Sequence, residues 1–278
     1  MSIFHYTNVS AVYSILLNRS IWLTDLRFLN DSRELHDGIA VLSKILKKPQ
    51  LGLFANHNYK KNSINYLRNS ISDRTIYGLD DNPIFIFSFS RVENLLSQWR
   101  AYGGYAIEFD DKLLSQELSG LKQCVYDQKQ KICSAKTAVT RALDKISQEM
   151  GRNDGWLGFD SFDSLGELIE LAATFKDEGF LEEQEFRIVI QTSTDDDSIK
   201  YSPKNNKLIP YLEKNISLNC IKAIHIGPMA DQELAYTAMS SFVKKIKGNW
   251  LAESLNGGYE LSVKKSSIPF RGTEQRYL

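Results

Sequence analysis
The sequence predicts an α+β fold. Short β-patterned stretches crowd both ends of the chain, whereas residues 129–178 are rich in helix formers. Strands and helices do not alternate regularly, which argues against a wound parallel sheet. No internal repeat or low-complexity segment interrupts the 278 residues, and the expectation is one domain over 1–278 with a helical insertion at roughly 129–178.

Residues 3–7 read as a strand, and Asn8 is placed to cap a helix in which Val9, Val12, Ile15 and Leu16 recur at helical spacing. A strand over Ile21–Thr24 and a polar loop Asp25–Asp31 follow. Ser32–Lys48 carries Leu35, Ile39, Leu42 and Leu46 on one helical stripe. A helix is expected around Ile64–Ile71. Ile84–Ser90 (IFIFSFS) is a strand with Phe85, Phe87 and Phe89 on one face and Ser88 and Ser90 on the other. Asn94 is expected to cap the helix LLSQWRAY, which Gly103 and Gly104 end before the strand YAIEFD. Leu121–Tyr126 reads as a strand, and helices are expected at 132–150 and 161–177 around the glycine-rich joint 151–158. Strands at 184–192, Leu208–Leu212 and Ile221–Ile226, a helix at 231–247 and a strand Tyr259–Lys264 complete the chain.

Composition narrows the function. Lys plus Arg equals Asp plus Glu at 34 each, so a general grip on polyanions is disfavoured, although a local basic groove is not. Cys124, Cys133 and Cys220 lack CxxC spacing and indicate neither a disulfide frame nor a zinc site. The N-terminus has no leader pattern and no stretch approaches a membrane span, so a soluble, cytoplasmic protein is expected. Motifs for a P-loop, a Rossmann dinucleotide site, a zincin and a serine hydrolase are absent from the sequence.

The stretch Phe180–Gln191 (FLEEQEFRIVIQ) organises the candidate chemistry. Phe186, Ile188 and Ile190 alternate with Glu185, Arg187, Val189 and Gln191, and two carboxylates, Glu183 and Glu185, stand at the strand entrance. Such a pair is costly unless it is used or paired. Either it belongs to ion pairs at a strand edge or it stabilises developing positive charge. His5, Tyr6 and Thr7 sit on the first strand, where His5 is either a satisfied sheet-edge histidine or a ligand contact. Ser88 and Ser90 require partners if buried. Trp99 and Tyr102, three apart, form either core packing or a stacking wall beside Arg100. Asn30, Asp31, Glu34 and His36 read as helix capping without metal-ligand spacing, and His225 as a core-edge residue. The expectation is that the three strands meet and their polar faces line one pocket.

The motif order FHYT, LNDSREL, FSFS, LLSQWRAYGGYAIEFD, FLEEQEFRIV and IHIGP resembles a widespread, uncharacterised bacterial domain-of-unknown-function family. More distantly it resembles the three-motif layout of the ADP-ribosyltransferase superfamily. His5 with Thr7 matches the first motif, Ser88 and Ser90 the second, and Glu183-Gln184-Glu185 the third. A first-motif His in place of Arg departs from the arginine-type pattern and leaves the acceptor open. The resemblance implies a split, bent β-sandwich with outer helices, NAD as donor, and transfer to RNA, DNA or protein. It assigns Glu185 to the ribose hydroxyl and the oxocarbenium ion, Glu183 to the acceptor nucleophile, and His5 and Thr7 to the adenosine ribose or pyrophosphate. Ser88 would fix Glu185, Trp99 or Tyr102 would flank a ring, and Arg100, Arg187 and Arg271 would line a phosphate groove. Enzymes of this kind often serve as toxins in toxin–antitoxin or phage-defence systems, so a neutralising antitoxin is an expected partner. NAD hydrolysis and a non-catalytic nucleotide- or phage-sensing module are the alternatives.

Overall fold
The computed structural model describes residues 1–29, 33–72, 82–204, 206–253 and 260–269. The expected capping groups Asn30, Asp31 and Glu34, and the groove residue Arg271, lie outside the described backbone or side chains.

The architecture is α+β, built on one large mixed sheet. Its strands are β1 (Ser2–Thr7), β2 (Ser20–Asp25), β3 (Ile84–Ser90), β4 (Tyr105–Asp110), β5 (Leu121–Gln123), β6 (Glu185–Gln191), β7 (Ile199–Lys204), β8 (Lys207–Asn215), β9 (Ile221–Ile226) and β10 (Ser262–Lys265). The helices are α1 (Val9–Asn18), α2 (Arg33–Lys47), α3 (Lys60–Ser72), α4 (Leu96–Tyr102), α5 (Asp111–Glu117), α6 (Gln128–Arg152), α7 (Phe159–Ala172) and α8 (Gln232–Glu253).

The sheet branches at β3. The main path runs β10-β9-β4-β1-β3-β2-β8-β7, while β6 pairs with both β3 and β5. β6 occupies one whole edge of β3, from Ile84↔Gln191 to Ser90↔Glu185. The other edge is shared: β1 meets it only at Phe4↔Ser90, and β2 only at Thr24↔Ile86 and Asp25↔Phe85. Between those contacts β1 and β2 part.

Period-2 patterning explains how both faces are buried. Phe85, Phe87, Phe89 and Ile188 join a core with α1, α5 and α8. Ile84, Ile86 and Val189, on the opposite face of the same two strands, join α2, α3, α6 and α7. The helical insertion is therefore one side of a layer that α2 and α3 complete. Beside it, α4 covers Phe4, Tyr6 and Ala106 with Trp99.

Local signals act as expected at Asn8, whose side chain accepts from the Ala11 amide, and at Gly103, whose φ of 131° ends α4. Asn94 does not cap α4. Its φ is 62°, a left-handed conformation incompatible with an N-cap, and Leu95 takes that position without a side-chain bond. Helix α5 and strand β7 add to the expected elements, and β7 pairs with β8, which lengthens the expected Leu208–Leu212 strand. Among the described residues no helix is long and apolar enough to cross a membrane.

Candidate functional site
Strands β1, β3 and β6 are neighbours, so the three predicted motifs do meet. Their polar faces do not all coincide. Phe4, not His5, stands opposite Ser90, so Phe4 and Tyr6 share a face with Ser88, Ser90, Glu185 and Arg187. His5 and Thr7 point to the other face. The expected single polar face is corrected by this register, since a one-residue offset exchanges the faces of a strand.

His5 fills the notch where β1 parts from β3. Its ring stacks on Phe87 with centroids 4.0 Å apart, and its Nδ1 lies 2.9 Å from the Ser88 carbonyl oxygen. A carbonyl only accepts, so Nδ1 carries the proton and Nε2 presents a lone pair. Burial lowers the His5 pKa to about 4, with the Ser88 carbonyl opposing part of that shift. The imidazole is neutral near pH 7. Thr7 is buried beside the Gly103 turn, where its carbonyl would lie 2.7 Å from a Cβ on Gly103.

The carboxylates gather around a lysine. Lys176 Nζ donates to Glu183 Oε2 at 2.6 Å and also to Glu185 Oε2. Arg187 donates from Nε to Glu185 Oε1 at 2.6 Å and from its terminal nitrogen to Oε2 at 3.0 Å, while its other terminal nitrogen reaches the Ala173 carbonyl. The Glu185 amide donates to the Tyr126 hydroxyl at 2.8 Å. Glu185, Arg187 and Lys176 are all buried. Burial pushes the Glu185 pKa up, but the Arg187 and Lys176 charges and hydrogen bonds outweigh it and hold the carboxyl at about 2. Glu185 is thus ionised, with both oxygens engaged.

Glu183 is the more open of the two acids. It ends a 3-10 turn, and Gln184, with φ 43°, turns the chain into β6. Ser90 Oγ donates to the Glu183 carbonyl at 2.6 Å. The expected Ser88 clamp on Glu185 is replaced by Arg187 and Lys176, because Ser88 stands opposite Arg187.

The stacking wall is not assembled. Trp99 is buried edge-on to Tyr6 and against Gly227, whereas Tyr102 is largely exposed. Tyr6 holds the loop before α4, donating to the Val92 carbonyl and accepting from the Leu95 amide. Arg100 is exposed, and Arg187 is committed to Glu185, so the two do not line one groove.

Sequence reasoning did not anticipate Lys176, Tyr126 or the Glu108–His225 pair. Glu108 Oε2 receives Lys264 at 2.8 Å and lies 2.9 Å from His225 Nε2, and Ser2 donates to Oε1 at 2.7 Å. Hydrogen bonding from His225, against burial and with help from Lys264 and Ser2, keeps the Glu108 carboxyl well below the usual carboxylate range. The alternation in YAIEFD and IKAIHI places Glu108 and His225 on their strands, but their adjacency depends on the β4–β9 register, Ala106↔His225. Among the described residues no group of three His, Cys, Asp or Glu side chains is arranged to hold a metal ion.

A family model described as "Protein of unknown function (DUF2971)" matches residues 98–188. That span runs from Gln98 through Glu183, Glu185 and Arg187, and it bears out the resemblance to an uncharacterised family. No curated protein matches the chain, and no solved structure matches it.

Proposed function
We propose that this chain, whose residues 98–188 match that family, binds NAD at the parting of β1 and β3 and transfers its ADP-ribosyl group to a macromolecule. The carrying observation is the adjacency of β1, β3 and β6, with His5 lodged where the sheet splits. The parted strands support that reading, and the neutral His5 offers Nε2 as acceptor for a ribose hydroxyl on the face opposite Glu185, so the ligand would have to reach through the parting to engage both.

The chemistry needs a carboxylate that stays ionised beside an oxocarbenium-like carbon. Glu185 meets the ionisation requirement, but Arg187 and Lys176 hold both of its oxygens. Glu183, less buried and tied through one oxygen, is therefore the acid that meets a ligand first, and Glu185 positions it through Lys176. In the reaction the bond from ribose C1 to the nicotinamide nitrogen breaks, with the electron pair leaving on nicotinamide. The acceptor nucleophile bonds to C1 and gives its proton to Glu183.

Incubation with labelled NAD, RNA, DNA fragments and cell lysate tests this reading, beside Glu183→Gln and Glu185→Gln. Nicotinamide release with label fixed to one fraction, lost in Glu183→Gln at unchanged melting temperature, is the expected result. Release without label identifies a hydrolase. The saturation of Glu185 favours a second reading, a nucleotide-binding module without turnover. NAD-dependent thermal stabilisation with no nicotinamide release in any mixture would establish that one instead.

A further inference from the structure
The corner between α6 and α7 exposes an apolar surface outside the site described above. Trp156, Phe159 and Phe162 are 78%, 81% and 64% exposed. Phe159 and Phe162 are three apart in the first turns of α7 and share a side of the helix. Leu53 and Phe54, 96% and 75% exposed, border the same corner. Their loop is tied to α6, since Gln148 Nε2 donates to the Phe54 carbonyl at 2.6 Å and the Asn56 amide to Ser147 Oγ at 3.0 Å. Single exposed apolar residues are ordinary, whereas five large ones around one corner mark an interaction surface.

The corner is firmly built. Gly155 N donates to the Met150 carbonyl at 2.7 Å and Trp156 N to the Asn153 carbonyl at 3.0 Å. Glycine 158 has no side chain to cap α7, and the buried Glu149 does that work from α6. Its carboxylate accepts the amides of Gly158, Asp160 and Ser161 at 3.0, 2.9 and 3.0 Å, and the Ser161 hydroxyl as well. A preformed aromatic surface loses little conformational entropy when it is covered.

Charge selects the occupant. Residues 154–167 contain Asp154, Asp160, Asp163 and Glu167 and no Lys or Arg. Arg152 pairs with Asp160 at 2.6 Å, and Lys145 with Asp163 and Glu167 at 3.5 and 3.1 Å, so along α6 and α7 two cations meet three carboxylates with Asp154 in addition, while exposed Lys60 and Lys61 lie on the Leu53–Phe54 side beyond Tyr59. An acidic rim repels phosphate-bearing surfaces, both nucleic acid and anionic membrane. A second copy related by a two-fold axis would set acid against acid.

We propose that this corner docks a basic, amphipathic segment of a partner protein, apolar side chains seated on Trp156, Phe159 and Phe162 and Lys or Arg on the rim. This inference stands apart from the NAD reading. The test is fluorescence anisotropy of the full chain with a labelled amphipathic helical peptide of Leu and Lys, beside its Leu/Glu counterpart. Saturable binding of the Lys peptide alone is expected, weakened by salt and by roughly tenfold or more in Trp156→Ser/Phe159→Ser, a change of about 1.4 kcal/mol or more. Both side chains are exposed, so the double variant should keep its melting temperature. Glu149→Gln, which leaves the aromatics in place and loosens the corner, should weaken binding as well. Absence of saturable binding, or equal affinity in the double variant, overturns the proposal. So does self-association in sedimentation, or binding to phosphatidylserine vesicles, that requires Trp156.

Discussion
His5 couples the sheet's parting to pH. Its folded pKa of about 4 lies below the ordinary value of 6.5, so the folded chain resists a proton that the unfolded chain accepts. The stability this represents is fully present above about pH 6.5 and is lost as pH falls toward 4, on the order of 3 kcal/mol across that window. Urea denaturation between pH 7 and 5 should therefore show a falling midpoint. His5→Gln, which can still donate to the Ser88 carbonyl, should flatten that fall, and an unchanged pH dependence would count against the half-buried neutral imidazole. Glu185 acts in a lower window. Its depressed pKa contributes stability above the usual carboxylate range that is lost as pH falls toward 2. Glu185→Gln leaves Lys176 and Arg187 without their shared carboxylate, and removing one partner of a buried ion cluster costs about 3–5 kcal/mol. A loss of NAD turnover in that variant is therefore informative only beside its melting curve. Glu183→Gln, nearer the surface, carries the cleaner functional result.

Secondary structure positions these residues through helix contacts that sequence alone does not reveal. The clearest is the crossing of α2 and α7 at Gly38. A Cβ there would lie 2.3 Å from the Ala172 carbonyl oxygen, so only glycine allows the two helices to approach this closely. Ala172 ends α7, and four residues later the chain delivers Lys176 between Glu183 and Glu185. Gly38→Ala should lower stability by about 1–3 kcal/mol through overpacking. It should also displace Lys176 and raise the Glu185 pKa, seen as a shift of carboxyl titration by NMR. An unchanged denaturation midpoint would show that α2 yields without strain. At this scale much was legible. The apolar stripe Leu35, Ile39, Leu42, Leu46 defines α2, and the alternation Phe85, Phe87, Phe89 assigns the faces of β3, because each pattern is set by local geometry. The site was legible only to the level of its strands. The face His5 takes is decided by the pairing Phe4↔Ser90, and Glu185 meets Lys176 and the Tyr126 hydroxyl from distant segments, while Arg187 is anchored on the Ala173 carbonyl just after α7. None of these leaves a periodic trace.

Over the whole molecule, the branch at β3 joins the two main cores. Phe85, Phe87 and Phe89 belong to the core with α1, α5 and α8, while Ile84 and Ile86 of the same strand belong to the helical layer. Strand β6 divides likewise between Ile188 and Val189. Melting the helical layer would expose apolar side chains on strands that the other core still requires. Removing the other core would strip the opposite face of those same strands. Neither half retains a closed core alone, and conditions that unfold one should unfold both. The helical insertion, despite its length, should therefore not behave as an autonomous unit. Urea denaturation followed by far-UV circular dichroism, which weights the helices, and by near-UV signals from the Trp22–Tyr211 stack, 4.1 Å between centroids on the far arm of the sheet, should give coincident transitions. An early loss of helical signal with the near-UV signal intact would mean that β3 and β6 survive with one face bare, and the two cores would then be separate folding units that share a strand pair only in the native state.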